Sequence, residues 1–482
     1  MNKLYYVCIG CTVITLLLLL YATITFFIEI YKLRKFRGPL AFPLIGNCYN
    51  LEAMKLLSYL SKLRKRYGRV FTFFSLSNKA FLVVCDPVAV RRILSDSKTF
   101  IKGTDYTQIF AIAFGEGLVT SNGDKHKHDR GIFGKYFIKS SISKNMEIMN
   151  THTLEMINSD ELVINKDYNI EHFFAILSLR LFSNIYIGKD YRGNSKREND
   201  LANAVSKGSW AVGRMITLAL PTIALINPYV KKIQEAREVF WDDMKVVIEA
   251  RKIAMKSGDN QTPDDCITAM INENLNDKEM LDHLATLISA GHDTTAYFCS
   301  YMCYLLAEHQ KEQDILREEI NQVLGNRTLV NENDVTEMKY LSKVMQETLR
   351  LYSIIPMLTR LSNEEVHIKE SGVTIPKNVN LLIPMFLINR DPELWDNPSQ
   401  FNPDRFDGKV ESFTSAKNGF FPFGYGTRTC IGNTLSILES GVMISQLIRK
   451  FRIKSSPGFK LCIQSGISLT TDNGVHVILS PI

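Results

Sequence analysis

The sequence predicts a mainly α-helical protein with a small β region, preceded by one N-terminal transmembrane helix. Three observations carry this reading. Residues 4–28 form an uncharged, leucine-rich run long enough to cross a bilayer. Apolar residues recur at helical spacing from Asn276 to about His309 and again from Ile431 to Ile448. Short β-type segments stand at 70–75 and 80–85, on either side of a polar turn.

Length and composition constrain the rest of the chain. The 482 residues contain no Ser/Gly/Pro-rich linker, so one large domain over 38–482 behind a segment 1–37 is expected. Hydrophobic residues make up 45% and charged residues 22%, enough for a substantial core. A net charge of +7 suits an acidic protein partner or an anionic membrane surface, and the absence of a long basic tract argues against nucleic acid. Nine scattered cysteines, an odd number, point to a reducing compartment rather than a disulfide framework.

At the start of the chain, Tyr5, Tyr6 and Tyr31 flank the apolar run as interfacial aromatics do. Lys32, Arg34, Lys35 and Arg37 follow it, against Lys3 before it, which places the bulk of the protein on the cytoplasmic side. The run is too long for a cleaved signal peptide, and its basic cluster lies on the wrong side for one. Cys8 and Cys11 lie within the leucine-rich span and receive no role. Gly38, Pro39, Pro43 and Gly46 break the helix. An amphipathic helix is expected over 52–66, and the mixed stretch 100–114 can cap a pocket. Between 143 and 274 the pattern is helical. Within it the apolar segment 215–226 can line a channel, touch a membrane surface or pack in the core.

The chemistry is concentrated in residues 423–432, where a glycine-rich loop delivers Cys430 to the start of a helical pattern. Glycines let the backbone turn sharply and approach a flat ligand closely. A helix N-terminus favours thiolate over thiol, and Arg428 adds a positive charge. Cys430 is therefore read as a haem-iron ligand, whose electron donation favours O–O cleavage.

This loop resembles the F-x-x-G-x-R-x-C-x-G haem loop of the cytochrome P450 superfamily, matched at Phe423, Gly426, Arg428, Cys430 and Gly432. Further motifs extend the resemblance along the chain. Residues 290–295 match A/G-G-x-D/E-T-T on a helix whose Leu284, Leu287, Gly291, Thr294 and Phe298 share one face. There the resemblance implies that Gly291 lets haem and oxygen approach, and that Asp293 and Thr294 relay protons. Glu347 and Arg350 form the E-x-x-R pair, completed by Arg405 of the segment Pro403, Asp404, Arg405, Phe406, a structural brace behind the haem. Arg360, after an apolar strand expected over 354–358, and Arg130 stand where the family places haem-propionate ligands. His126 replaces the tryptophan of W-x-x-x-R; a solvated basic face is the alternative for that stretch.

The resemblance implies a triangular, mostly helical cytochrome P450 fold holding haem b by a cysteine thiolate. The implied reaction places one oxygen atom of O2 in an apolar organic substrate, such as a sterol, fatty acid, terpenoid or xenobiotic. With no G-x-G-x-x-G motif in the chain, the electrons come from a separate NADPH-cytochrome P450 reductase, helped by cytochrome b5. The expected location is the endoplasmic reticulum membrane, single-pass, with the catalytic domain facing the cytoplasm. Phe110, Phe114, Leu287, Ile355, Met357 and Leu469 are expected to line an apolar pocket. An oxygen-independent haem-thiolate isomerase or dehydratase and a non-catalytic haem sensor or carrier are the alternatives; Asp293 and Thr294 weigh against both.

Overall fold

The computed structural model describes residues 2–50, 55–218, 227–259, 262–407 and 419–482. In chain order the helices that build the site and its supports are α1 (Asn2–Leu33), α2 (Leu56–Tyr67), α3 (Gly123–Gly134), α4 (Ile170–Phe182), α5 (Ser195–Leu218), α6 (Pro228–Lys256), α7 (Asp277–Glu308), α8 (Lys339–Leu351) and α9 (Asn433–Lys450). The expected start of α2 at 52 and most of the apolar segment 215–226 lie outside the described residues; Met215 itself is buried in α5.

The central element is α7. Its start is set by a reciprocal cap: the Glu279 backbone N–H donates to Asn276 Oδ1 at 3.0 Å, and the Asn276 N–H donates to Glu279 Oε2 at 3.0 Å. At 32 residues it is about 48 Å long. It is buried on nearly every side through its second half, as a helix crossing a core must be. The α4 helix packs on it, with the Phe182 ring set against Gly291. A Cβ at Gly291 would stand 2.2 Å from Phe182 Cδ2, so glycine is required there by the neighbouring ring. Although α4 with the turn after it is apolar enough for a membrane span, 67% of it is buried inside the protein, and it is a core helix.

The largest sheet of the small β region among the described residues contains β1 (Val70–Phe74), β2 (Ala80–Val84), β3 (Phe100–Ile101), β4 (Leu358–Ser362) and β5 (Asn380–Ile383), in the order β1-β2-β5-β4-β3. The β1–β2 hairpin pairs Val70 with Val84, and its turn holds Asn78 at φ 61°. The strand expected over 354–358 instead begins at Leu358 and places Arg360 opposite Leu381. Pro356 lacks the N–H that a strand ladder needs there, and the Ile354 carbonyl accepts from the Leu469 N–H at 2.7 Å.

Residues 5–21 of α1 are largely apolar and, Gly10 apart, exposed, whereas the last third of the helix rests on the body. Phe26 and Leu33 are buried, the Phe26 ring lies 5.7 Å from that of Phe74, and Asn78 Nδ2 donates to the Ala22 carbonyl at 2.7 Å. Residue 37 thus falls just after a stretch of α1 in packing contact with the sheet.

Candidate functional site

Between α7 and the loop before α9 lies an internal cavity of about 360 Å³. Its floor is Phe423, Gly424, Cys430 and Gly432, and its opposite wall is Leu287, Gly291, Thr294, Thr295 and Phe298 of α7. Cys430 is exposed by surface area, but the surface it shows is the wall of this cavity. Among the described cysteines it alone lines the cavity.

The loop shape follows from its glycines. Gly424 and Gly426 hold φ of 74° and 72°, and a Cβ at Gly426 would stand 2.6 Å from the Leu94 carbonyl oxygen. The Cys430 backbone N–H donates to the Phe423 carbonyl at 2.9 Å, which closes the loop. The helix itself begins at Asn433, with Gly432 as its cap, so Cys430 precedes the first helical turn. Burial raises the Cys430 thiol pKa, and the Gly432 N–H and Arg130 offset part of that rise. Arg428 turns away from the sulfur: its Nη1 donates to the Ser121 carbonyl at 2.9 Å and its Nη2 to Asn122 Oδ1 at 3.3 Å.

Four cations gather at one end of the cavity. Lys102, Arg360 and Arg428 line it, while Arg130 on α3 lies close enough to act electrostatically on both Cys430 and Arg428. None of the four has a carboxylate ion-pair partner among the described residues; Asp105, also on the wall, is paired with Lys79. Burial, then Arg360 and Arg130, push Arg428 down to about 10. Burial, then Arg360 and Arg428, lower Lys102 well below the usual lysine range. His126 is buried beside them and held neutral, driven down to about 3 by burial and by Arg428, Lys102 and Arg130. A neutral imidazole can donate one hydrogen bond to a propionate but cannot match its charge.

Like charges buried without counter-ions are strongly unfavourable, so this cluster requires an anion. Haem fits. It is flat, carries two carboxylates at one edge for the cations, and brings an iron for the thiol on the floor. Lys102 was not found from the sequence, because a lone lysine between Ile101 and Gly103 belongs to no periodic pattern.

Of the expected pocket residues, Phe110, Leu287, Ile355 and Met357 line the cavity, and the stretch 100–114 does cap it. Phe114 and Leu469 do not; Ile467 and the rings of Tyr106, Phe137 and Phe182 take their place. Leu469 is turned into the core, where its carbonyl accepts from Tyr301 Oη at 2.5 Å.

The Thr294 hydroxyl donates back to the Ala290 carbonyl at 2.6 Å from a side chain on the cavity wall. Asp293 is buried and points elsewhere: Ser206 Oγ of α5 donates to its Oδ1 at 3.0 Å, and His292 Nδ1 stands 2.9 Å away. Behind the floor, Arg350 donates to Glu347 through Nε and Nη2, each at 2.7 Å, with both side chains fully buried. Arg405 Nε adds a third contact to Glu347 Oε1 at 3.1 Å.

The family profile described as Cytochrome P450 matches residues 36–475. Cytochrome P450 714B2 of Oryza sativa subsp. japonica is 30% identical over 84% of this chain and 75% of its own length. Cytochrome P450 4d2 of Drosophila melanogaster is 26% identical over 92% of this chain and 93% of its own, and the cytokinin hydroxylase of Arabidopsis thaliana is 25% identical over 92% and 91%. With a thiol-floored cavity, an unpaired cation cluster and a family match over most of its length, the chain belongs to the cytochrome P450 family, haem-thiolate monooxygenases that hold iron protoporphyrin IX by a cysteine.

Proposed function

We propose that this protein is a membrane-anchored monooxygenase that inserts one oxygen atom of O2 into an apolar organic substrate, with Cys430 as its iron ligand. The observation that carries this reading is that the Cys430 thiol and the Thr294 hydroxyl line one cavity whose remaining wall is mostly apolar. Bound haem supplies the activation of dioxygen, which a thiolate ligand promotes by pushing electron density onto iron. Arg130, Arg360, Arg428 and Lys102 hold the two haem carboxylates, with His126 as a neutral donor. Tyr106, Phe110, Phe182, Leu287 and Met357 exclude water and bind the apolar part of the substrate.

Thr294 holds a hydroxyl proton at the oxygen site. Asp293, one residue away, keeps a carboxyl on Ser206 and turns about its side chain to pass protons toward the cavity. Electrons come from NADPH-cytochrome P450 reductase, with cytochrome b5 as a second donor. The basic flank of the exposed apolar part of α1 supports a single-pass anchor in the endoplasmic reticulum membrane, with the body in the cytoplasm.

Turnover with reductase and NADPH tests this reading. The wild type should consume NADPH and place oxygen from O2 in product. Thr294→Ala should keep haem but divert reducing equivalents to hydrogen peroxide, and Asp293→Asn should slow turnover by roughly 10²-fold. Substrate conversion without NADPH or O2 would replace monooxygenation by isomerisation or dehydration. Wild-type coupling and rate in both variants would make residues 290–295 a packing motif.

Deleting residues 2–20 should shift much of the protein from the membrane to the soluble fraction with haem retained. This cut spares Ala22, Phe26 and Leu33, which α1 uses to hold the sheet. A folded truncation without haem would contradict the separation of anchor from site.

A further inference from the structure

Asn122 stands at the start of α3, where an asparagine side chain ordinarily accepts from the N–H of the second or third helical residue. Here it makes no such bond. Its Oδ1 accepts instead from the Lys102 backbone N–H at 3.0 Å, and its Nδ2 donates to the Lys102 carbonyl at 3.0 Å. Lys102 follows directly on β3, an edge strand of the sheet, and the amide pairs with it as a neighbouring peptide would. The same Oδ1 also accepts from Arg428 Nη2 at 3.3 Å. One side chain therefore joins the segment that carries Lys102 to the loop that carries Cys430.

Holding the chain in place does not account for this bridge, because the segment before Asn122 has supports of its own. The Glu116 N–H donates to Asp282 Oδ2 of α7 at 3.1 Å, and Thr120 Oγ1 donates to the Gly115 carbonyl at 2.8 Å. Two carbonyls of that segment take the charged ends, Val119 from Lys102 Nζ at 2.5 Å and Ser121 from Arg428 Nη1 at 2.9 Å. With Asn122 Oδ1, the acceptors that orient these two cations are all uncharged, so their charge is left for the cavity. An aspartate at 122 would cap a helix as well as asparagine does, but it would pair with Arg428 as a counter-ion. Lys102 and Arg428 are on the cavity wall, and Asn122 acts on the cavity through them.

We propose that Asn122 is a positioning residue of the haem site, whose neutral amide fixes Lys102 and Arg428 toward the haem carboxylates without cancelling their charge. This rests on the reading above, in which those cations hold the haem carboxylates, and adds the residue that holds the cations. A serine at 122 can cap the helix but has one polar atom where the three-way bridge uses two. A carboxylate there competes with the haem for Arg428.

Transfer of haem from the ferric holoprotein to excess apomyoglobin tests this without turnover. Haem loss should be on the order of tenfold faster in Asn122→Ser than in the wild type, because a hydrogen bond to a charged donor is gone. In Asn122→Asp it should be on the order of 10²-fold faster, since the new charge both occupies Arg428 and repels the haem carboxylates. A capping role predicts wild-type rates in both variants, as serine, aspartate and asparagine cap about equally well. The ferric–ferrous potential adds a second readout. Asn122→Asp should make it more negative, because a nearby negative charge favours the ferric state, and Asn122→Ser should move it less.

Should Asn122→Asp fail to assemble with haem, the rate in Asn122→Ser decides. Lys102→Ala and Arg428→Ala are measured alongside. If both release haem faster while Asn122→Ser and Asn122→Asp match the wild type, the Asn122 proposal is overturned alone. If both keep haem as the wild type does, the cation reading falls and the proposal falls with it.

Discussion

Cys430→Ala is expected to abolish the far-shifted Soret band that reduced, thiolate-ligated haem shows with carbon monoxide. The expected effect is complete loss rather than a shift, because the described cavity wall offers no second thiol; the sulfurs of Met357 and Met385 on that wall are thioethers, which cannot become thiolates. Cys85, Cys266, Cys299 and Cys303 are all buried in the core, and none lines the cavity. The fold should survive, since the loop is closed by the backbone bond from the residue-430 N–H to the Phe423 carbonyl, which alanine retains. Haem can still enter, drawn by Arg130, Arg360, Arg428 and Lys102, but without the thiolate signature. An unchanged band in a folded, haem-loaded variant would move the ligand role to another residue.

Glu347→Ala should be the most damaging single change outside the cavity. It leaves the Arg350 guanidinium fully buried with only the carbonyls of Asn389, Pro398 and Gln400 to accept from it. Breaking one side of a buried ion pair costs about 3–5 kcal/mol, a large fraction of the roughly 5–15 kcal/mol that keeps a protein folded. The loss reaches further, since Glu347 Oε1 also accepts from Arg405 Nε and from the Asn402 N–H at 2.9 Å, pinning the segment after Gln400 to α8. Denaturant unfolding of Glu347→Ala and Glu347→Gln separates the contributions. The glutamine variant keeps hydrogen-bonding capacity and should lose less. A midpoint equal to that of the wild type in the alanine variant would show that the brace is dispensable.

Different parts of the site were legible in the sequence to different degrees. Local chemistry was readable: the loop around Cys430 depends on residues within ten positions of one another, and Gly424 and Gly426 adopt the left-handed backbone that such spacing requires. The start of α7 at Asn276 and Glu279 was readable for the same reason, since a capping box spans three residues. The expectation that Arg428 and the helix end act on the thiol differs from the geometry. Arg428 bonds to the 121–122 segment, α9 starts only at Asn433, and Arg130 is the cation that acts on the sulfur.

The apolar helix at the N-terminus, the long central helix, the thiol loop and the acid–alcohol pair could be read from residue order, because each is written in periodicity or short spacing. Long-range packing settled what faces what. It turned Asp293 toward Ser206, filled the notch at Gly291 with Phe182, exchanged Phe114 and Leu469 for Tyr106 and Ile467 on the wall, and set Lys102 among three arginines. Those outcomes depend on elements far apart in the chain packing to close contact, where the direction of each side chain follows from the neighbour's shape and charge rather than from the residues beside it in sequence.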